Sequence, residues 1–138
     1  MNGCSSSVSS DSEDVKVQII ALEKQAMDMW SNGNPDGFLD LSSDDVVYID
    51  PFFEQKLEGK KALTDYYNTI RGQVKMGSYE MIKPVVQLTS DVAVLTYNFV
   101  SHGGNDEHRW NCTEVYNLNS QNQWKIIHTH WSFVRPDK

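Results

Sequence analysis

A run of four strand-like stretches constrains the fold more than any other feature of this sequence. From Ser78 onward we predict strands near residues 78–89, 92–102, 108–118 and 123–134. Short polar segments between them, such as Gly103-Gly104-Asn105-Asp106, are typical of turns. Because strands joined by short turns pair with their neighbours, this half of the chain predicts an antiparallel meander, with Pro84 at a bulge or at an edge.

The first half of the chain contains the helical patterns. Apolar residues recur at helical spacing over residues 15–29, behind the capping-box spacing of Ser10-Asp11-Ser12-Glu13. These two signals predict a first helix from about Ser12 to Ser31.

Two further helices are predicted around one strand. Pro35 suits the start of a short second helix, and a third is expected between Gly59 and Gly72. Residues 45–50 are β-branched, aromatic or acidic without a helical face, so they predict a strand that ends at Pro51.

Helices followed by an antiparallel meander indicate an α+β fold. Four long, twisted strands curl, and helices on the concave side do not fill the whole curve. We therefore predict three N-terminal helices packed on a strongly curved antiparallel sheet, which forms a cone-shaped half-barrel with an internal pocket.

The convex side of this sheet is expected to be covered. Strand 92–102 is apolar on both faces, with Val92, Val94, Thr96, Asn98 and Val100 on one side and Ala93, Leu95, Tyr97 and Phe99 on the other. A sheet with one solvated face alternates more cleanly. The pattern predicts a homodimer packed sheet to sheet.

Length and charge limit the domain organisation and the partners. The 138 residues suit one domain, predicted over residues 14–138, behind a Ser-rich acidic tail over residues 1–13 that is expected to be disordered. With 12 basic and 19 acidic residues, the net charge of −7 repels phosphate backbones, so we predict no nucleic-acid partner.

The start of the chain leaves two localisations open. Gly3-Cys4 followed by serines resembles the mature start of a bacterial lipoprotein, but the charged and apolar parts of a signal peptide do not precede it. The expectation is a soluble, cytoplasmic protein. The alternative is a periplasmic protein anchored in a membrane by a lipid on Cys4.

Two regions carry a resemblance to a known superfamily. The first comprises DVVYIDPFF at 45–53 and LEGKKAL at 57–63, and the second comprises RWNCTEVY at 109–116 and WKIIHTHWS at 124–132. From about residue 14 to 135 the chain resembles the nuclear transport factor 2-like superfamily, in its SnoaL-like branch. The second region is also similar to the association domain of calcium/calmodulin-dependent protein kinase II. The resemblance implies a cystatin-like α+β fold, a pocket and self-association.

Asp50 is the first candidate for chemistry. Steroid Δ-isomerases of this superfamily place their general base in a similar Asp-Pro-Phe context, so the resemblance implies a catalytic base at Asp50. A carboxylate on a cavity wall can accept and pass on a proton. The alternative is that Asp50 caps the turn by accepting hydrogen bonds from backbone N–H groups.

Glu114 is the second candidate. The resemblance, counted back from Trp131, places Glu114 where those isomerases hold a protonated acid. A neutral acid could donate a hydrogen bond to a developing oxyanion, and same-face apolar and aromatic neighbours would favour that form: Trp110, Cys112 and Tyr116. The alternative is an ordinary carboxylate paired with Arg109 or another base.

Tyr48 completes the predicted catalytic set. The isomerases carry their main oxyanion donor, a tyrosine, on the first helix, whereas residues 25–30 of this chain include none. Tyr48, on the strand that leads to Asp50, is the candidate replacement.

The predicted ligand contacts are aromatic or polar side chains: Trp30, Asn98, Trp110, Trp131 and His130. Strand alternation puts His128 and His130 on one face with Trp124 and Ile126. A His-x-His pair could bind a metal with a third ligand. We predict instead no metal, with the histidines hydrogen-bonded at the interface or the pocket wall.

Two functions remain open from the sequence. One is a self-associating module that binds a small apolar or carbonyl-bearing molecule. The alternative is a cofactor-free isomerase, dehydratase or cyclase that transfers a proton next to a carbonyl, with Asp50 as the base. No cofactor is expected, because the sequence has no Gly-rich phosphate loop and no Cys-x-x-Cys motif.

Overall fold

Three helices and six strands make up the protein. A computed structural model describes residues 3–135, with side chains from Asp11 to Arg135. The elements are α1 (Gly3–Ser31), α2 (Asp36–Leu41), β1 (Ser42–Ile49), β2 (Leu57–Glu58), α3 (Lys60–Ile70), β3 (Ser78–Leu88), β4 (Val92–Gly103), β5 (Asp106–Leu118) and β6 (Trp124–Phe133).

The strands form one curved, unclosed sheet in the order β2-β1-β6-β5-β4-β3. The meander β3 to β6 is antiparallel throughout, which confirms the predicted α+β cone. The sequence did not predict the next contact: β1 pairs in parallel with β6, so the first strand joins the sheet beside the last.

The helices pack on the concave face of the sheet. In β4 the inward set is Ala93, Leu95, Tyr97 and Phe99, each at most 3 % exposed. On the convex face Thr96 and Asn98 are exposed, and Val92 and Val94 are half-buried. The core therefore lies between α1 and the inner face, while the outer face is partly apolar and open.

Two register shifts in the antiparallel ladders determine which side chains point inward. In β3 the register shifts between Ile82 and Val85, where Lys83 has φ 49° and Pro84 interrupts the edge strand, as predicted. A second shift lies between β5 and β6, where Tyr116 pairs with Ile126 but Val115 pairs with His128.

The second shift overturns one prediction. The extra residue in β6 reverses the alternation, so Trp124 and Ile126 are buried inside with Thr129. His128 and His130 pair with outward residues of β5 and do not share a face with Trp124 and Ile126. Simple alternation gave the wrong face because it cannot show a bulge.

The N-terminal helix is longer than predicted. Helical backbone begins at Gly3, within the stretch predicted as a disordered tail, rather than at Ser12. No proline interrupts this stretch, and nothing in it forbids helical dihedral angles. The domain boundary near residue 14 stays a prediction, and the side chain of Cys4 lies outside those described. None of the described helices is both long and apolar enough to span a bilayer.

A close backbone approach joins the end of α1 to the segment after α3. Gly33 has φ 87°, and a Cβ there would lie 3.0 Å from the Cα of Gly72 and 3.2 Å from the carbonyl oxygen of Val74. The Gly72 N–H donates to the Gly33 carbonyl at 2.8 Å, and the Met76 N–H donates to that of Ser31 at 3.0 Å. These contacts hold residues 72–76 against the open side of the cone.

Candidate functional site

A cavity of about 420 Å³ lies between the helices and the inner face of the sheet. Six of the side chains singled out from the sequence line it: Trp30, Tyr48, Asp50, Trp110, Glu114 and Trp131. Tyr66 and Tyr67 of α3 and Phe99 of β4 add aromatic surface that the sequence did not assign to the site.

One row of residues across three strands brings the polar groups together. Tyr48 of β1 lies opposite Thr129 of β6, and Thr129 lies opposite Glu114 of β5. All three side chains are buried, at 5 % exposure or less. The parallel β1–β6 pair therefore places the Asp50 end of β1 one strand away from the middle of β5.

Asp50 sits where β1 ends, and it is 5 % exposed. Its Oδ1 accepts a hydrogen bond from the Phe52 N–H at 2.8 Å, so Asp50 does cap the turn. Its Oδ2 accepts from the hydroxyls of Tyr48 at 2.9 Å and Tyr66 at 3.4 Å. The same carboxylate therefore both caps the turn and lines the cavity, so the two interpretations of this residue are compatible.

The tyrosines around Asp50 keep their protons. Burial, followed by the nearby Asp50 charge, raises the pKa of Tyr66 to about 12. Burial, then the neighbouring Tyr67 and Asp50, raises the pKa of Tyr48 well above its ordinary value. Because Tyr48 has one hydroxyl hydrogen and gives it to Asp50, it cannot donate to another group in this arrangement.

Glu114 is in a different environment, 1 % exposed and in the middle of β5. Its Oε2 accepts from the Thr129 hydroxyl at 2.8 Å, and its Oε1 has no hydrogen-bond partner among the described residues. Arg109 does not pair with it, since its Nε donates to Glu107 at 2.8 Å. Burial, followed by the charge of nearby Glu23, raises the pKa of Glu114 well above 4.5.

Glu23, on α1, is a buried acid that the sequence analysis missed. It is 0 % exposed and accepts hydrogen bonds from the hydroxyls of Tyr97 at 2.7 Å and Tyr116 at 2.5 Å. A signal was present: Glu23 follows Ile19 by four residues and precedes Ala26 by three, which places it on the apolar stripe of the helix.

Two of the predicted ligand contacts lie outside this cavity. Asn98 and His130 are exposed on the convex face and do not line the cavity. The Asn98 side chain instead donates to that of Asn111 at 2.8 Å. Alternation along β4 puts Tyr97 and Phe99 inside and Asn98 outside, and the bulge in β6 does the same for His130.

The cavity is aromatic and acidic. Its ionisable side chains among the described residues are the acids Asp50 and Glu114 and tyrosines, with no lysine, arginine or histidine in the lining. Phe52, which lines the cavity, is 64 % exposed, and the centre of its ring lies 5.7 Å from that of Phe133. Such a lining disfavours anions and favours uncharged, apolar molecules.

Comparison with known proteins now establishes the family. A family model described as a SnoaL-like domain matches residues 19–136. The chain belongs to the SnoaL-like family. The search of curated proteins finds no match for this SnoaL-like chain.

Solved structures agree with this assignment. A protein of Parabacteroides distasonis ATCC 8503, named provisionally as a ketosteroid isomerase, is 46 % identical, with 86 % of each chain covered and a TM-score of 0.79. A nuclear transport factor 2-like protein of unknown function from Pseudomonas putida KT2440 is 22 % identical over 87 % of each chain, with a TM-score of 0.78. The calcium/calmodulin-dependent protein kinase II hub of S. rosetta is 16 % identical over 84 % of this chain and 94 % of that one, with a TM-score of 0.69, and shares the fold.

The raised pKa of Glu114 predicts a specific pH dependence of stability. The folded state keeps the proton at pH values where the unfolded state has lost it, so stability falls as pH rises above about 4.5. Relative to the Glu114→Gln variant, the wild-type free energy of unfolding should fall with pH at up to about 1.4 kcal/mol per unit. Urea denaturation of both proteins over a pH series measures this difference.

Glu54→Gln is the control, because Glu54 is exposed. Its free energy of unfolding should follow that of the wild type across the pH series. A constant difference between the wild type and Glu114→Gln would show that Glu114 does not hold its proton in the folded state.

Proposed function

We propose that the cavity binds a small, uncharged, largely apolar molecule that carries a carbonyl group. The aromatic lining, which has two acids and no cationic side chain from residues 11–135, is the observation that carries the proposal. Aromatic walls supply most of the buried contact area, and the few polar groups orient the ligand. Of the residues singled out from the sequence as hydrogen-bond donors, we assign Glu114 in its neutral form to the carbonyl oxygen, because Tyr48 already donates to Asp50.

Two probes of the same shape test the preference for an uncharged ligand. The neutral ketone 2-acetylnaphthalene should bind, and the 2-naphthoate anion should bind at least about tenfold more weakly, a difference of 1.4 kcal/mol. The reason is repulsion by the acidic lining. Isothermal titration calorimetry at neutral pH measures both. Equal or tighter binding of the anion would contradict the proposal.

A pair of variants locates the binding site. Trp131→Ala removes from the cavity wall a ring whose centre lies 5.5 Å from that of Phe99 and 5.8 Å from that of Trp110. The ketone should therefore bind at least about tenfold more weakly. Asn98→Ala changes the convex face and should leave the affinity unchanged. Equal effects of the two substitutions would place the probe outside the cavity.

Proton transfer at this site is a second candidate, supported by the presence of both carboxyl groups in one cavity lining. Asp50 would take a proton from the carbon next to the ligand carbonyl, while the Glu114 acid donates a hydrogen bond to the oxygen as it gains charge. Return of the proton from Asp50 to another carbon completes an isomerisation. The provisional name of the Parabacteroides distasonis protein supports the same class of reaction.

Exchange of α-protons tests this candidate without knowledge of the natural substrate. In D₂O, the protein should accelerate deuterium incorporation next to the carbonyl of 2-tetralone, followed by proton NMR. Asp50→Asn should reduce the catalysed rate by about 10²–10⁴-fold, the usual contribution of a general base. Asn98→Ala serves as the control of unchanged rate. Exchange that is equally fast with Asp50→Asn would exclude Asp50 as the base.

We also propose that the convex face of the sheet is a homodimer interface. Val85 is 55 % exposed there, and Val94 and Val115 pair on the central strands, half-buried in a single chain. Covering these side chains with a second copy would remove apolar surface from water. The structural likeness to kinase association domains supports self-association.

Light scattering should therefore give twice the chain mass of 15.8 kDa. Val115→Lys places a charge in the proposed interface and should yield the single-chain mass. Val17→Lys is the control, because Val17 is 67 % exposed on α1 and lies away from the sheet face. A wild-type protein of single-chain mass would contradict the dimer.

A further inference from the structure

Glu114 belongs to a buried polar cluster whose other members neither ligand binding nor proton transfer explains. Glu23 comes from α1, and Cys112, Glu114 and Tyr116 come from β5. One ligand-type atom from each of Glu23, Cys112 and Glu114 lies within 4.8 Å of the other two, and all three residues are buried. Two carboxyl groups this close inside a protein need a physical explanation.

The hydrogen bonds identify which carboxyl carries the charge. Each oxygen of Glu23 accepts from one tyrosine hydroxyl, Tyr97 on Oε2 and Tyr116 on Oε1. Burial raises the pKa of both tyrosines well above the ordinary value, so both hydroxyls stay protonated and donate hydrogen bonds. With both oxygens accepting, Glu23 has the contacts of a carboxylate.

Glu114 has the contacts of a neutral acid. Only its Oε2 accepts a hydrogen bond, from Thr129, and its Oε1 is buried without a partner in the described part of the chain. No lysine, arginine or histidine within residues 11–135 forms an ion pair with either glutamate. Without a cation, two adjacent buried carboxyl groups do not both ionise, so one of them holds a proton.

We propose that Glu23 and Glu114 form a buried acid–carboxylate pair in which Glu23 carries the charge and Glu114 the proton. Glu23 is then a positioning residue, since its charge keeps Glu114 a hydrogen-bond donor towards the cavity. The role in ligand recognition rests on the proposed function, whereas the location of the proton on Glu114 is a property of the protein alone. Other titratable groups facing the pair are neutral side chains: Tyr67, Tyr97, Cys112 and Tyr116.

A metal ion is the competing explanation for the same three residues. Binding of Zn²⁺ to Glu23, Cys112 and Glu114 would require both carboxylates and the thiolate. Burial, followed by the two nearby glutamates, raises the pKa of Cys112, which opposes loss of the thiol proton. The tyrosine hydroxyls also occupy both oxygens of Glu23. We therefore favour a proton on Glu114 and a charge on Glu23, and the experiment includes the metal.

Carboxyl ¹³C NMR of protein labelled at the glutamate side chains tests the pair without any ligand. At neutral pH one glutamate should resonate as a protonated acid, and the signal should disappear in Glu114→Gln. In Glu23→Gln the same signal should titrate at lower pH, with a proton affinity at least about tenfold lower, one pKa unit. Glu58→Gln, at an exposed position, should leave it unchanged.

A second variant decides the matter if Glu23→Gln does not fold. Tyr116→Phe removes one donor from Glu23 and should move the proton towards Glu23, so the two carboxyl signals shift in opposite directions. An ionised Glu114 at neutral pH in the wild type, or an unchanged Glu114 titration in the folded variants, would overturn the proposal. So would stoichiometric binding of Zn²⁺ alone that is lost in Glu23→Gln.

Binding measurements with two compounds distinguish a failure of this proposal from a failure of the proposed function. Glu23→Gln should weaken binding of 2-acetylnaphthalene about tenfold, because Glu114 becomes a poorer donor, and leave binding of naphthalene itself unchanged. Equal losses for both compounds would show that Glu23 acts only through packing, which contradicts its positioning role. If the wild type does not bind the ketone, the proposed function fails, while the NMR result still decides the proton pair.

Discussion

The parallel pairing of β1 with β6 is the constraint on which the candidate site depends. It inserts a strand from the helical half of the chain beside the end of the meander, with Tyr48 opposite Thr129. Since Thr129 also lies opposite Glu114, the end of β1 and the middle of β5 face one space. Without this pair, Asp50 would follow a strand paired only with the two-residue β2, and its carboxylate would have no fixed relation to Glu114.

Sequence patterns predicted the elements of the meander because period-two alternation and polar turns are local signals. The resemblance to the superfamily supplied Asp50 and Glu114, which the structure brings to one cavity. Glu23 was not predicted as a site residue because helical periodicity identifies apolar residues, although its spacing from them places Glu23 on the apolar stripe of α1. The position of His130 on the face opposite to Trp124 and Ile126 depends on a bulge, which leaves no periodic trace in the sequence.

The interior of the cone contains both packed aromatic rings and acidic groups. Tyrosines suit both, since their rings pack in the core and their hydroxyls donate hydrogen bonds to carboxylates. Tyr48 and Tyr66 do so for Asp50, and Tyr97 and Tyr116 for Glu23. Tyrosine hydroxyls thus stabilise the buried negative charge, and within the described part of the chain no cationic side chain lines the cavity to attract anions.

The two acids that line the cavity differ in the hydrogen-bond donors that surround them, and this difference gives the two acids different chemical roles. Asp50 receives three hydrogen bonds, whereas Glu114 receives one and lies near the negative charge that we assign to Glu23. An acid pair in contrasting environments divides into one proton acceptor and one hydrogen-bond donor. The same division suits simple recognition of a carbonyl, with Glu114 as the donor, and proton transfer, with Asp50 as the acceptor. A binding module and an enzyme in this family can therefore share one polar framework, and they differ in whether a carbon–hydrogen bond of the ligand lies within reach of Asp50.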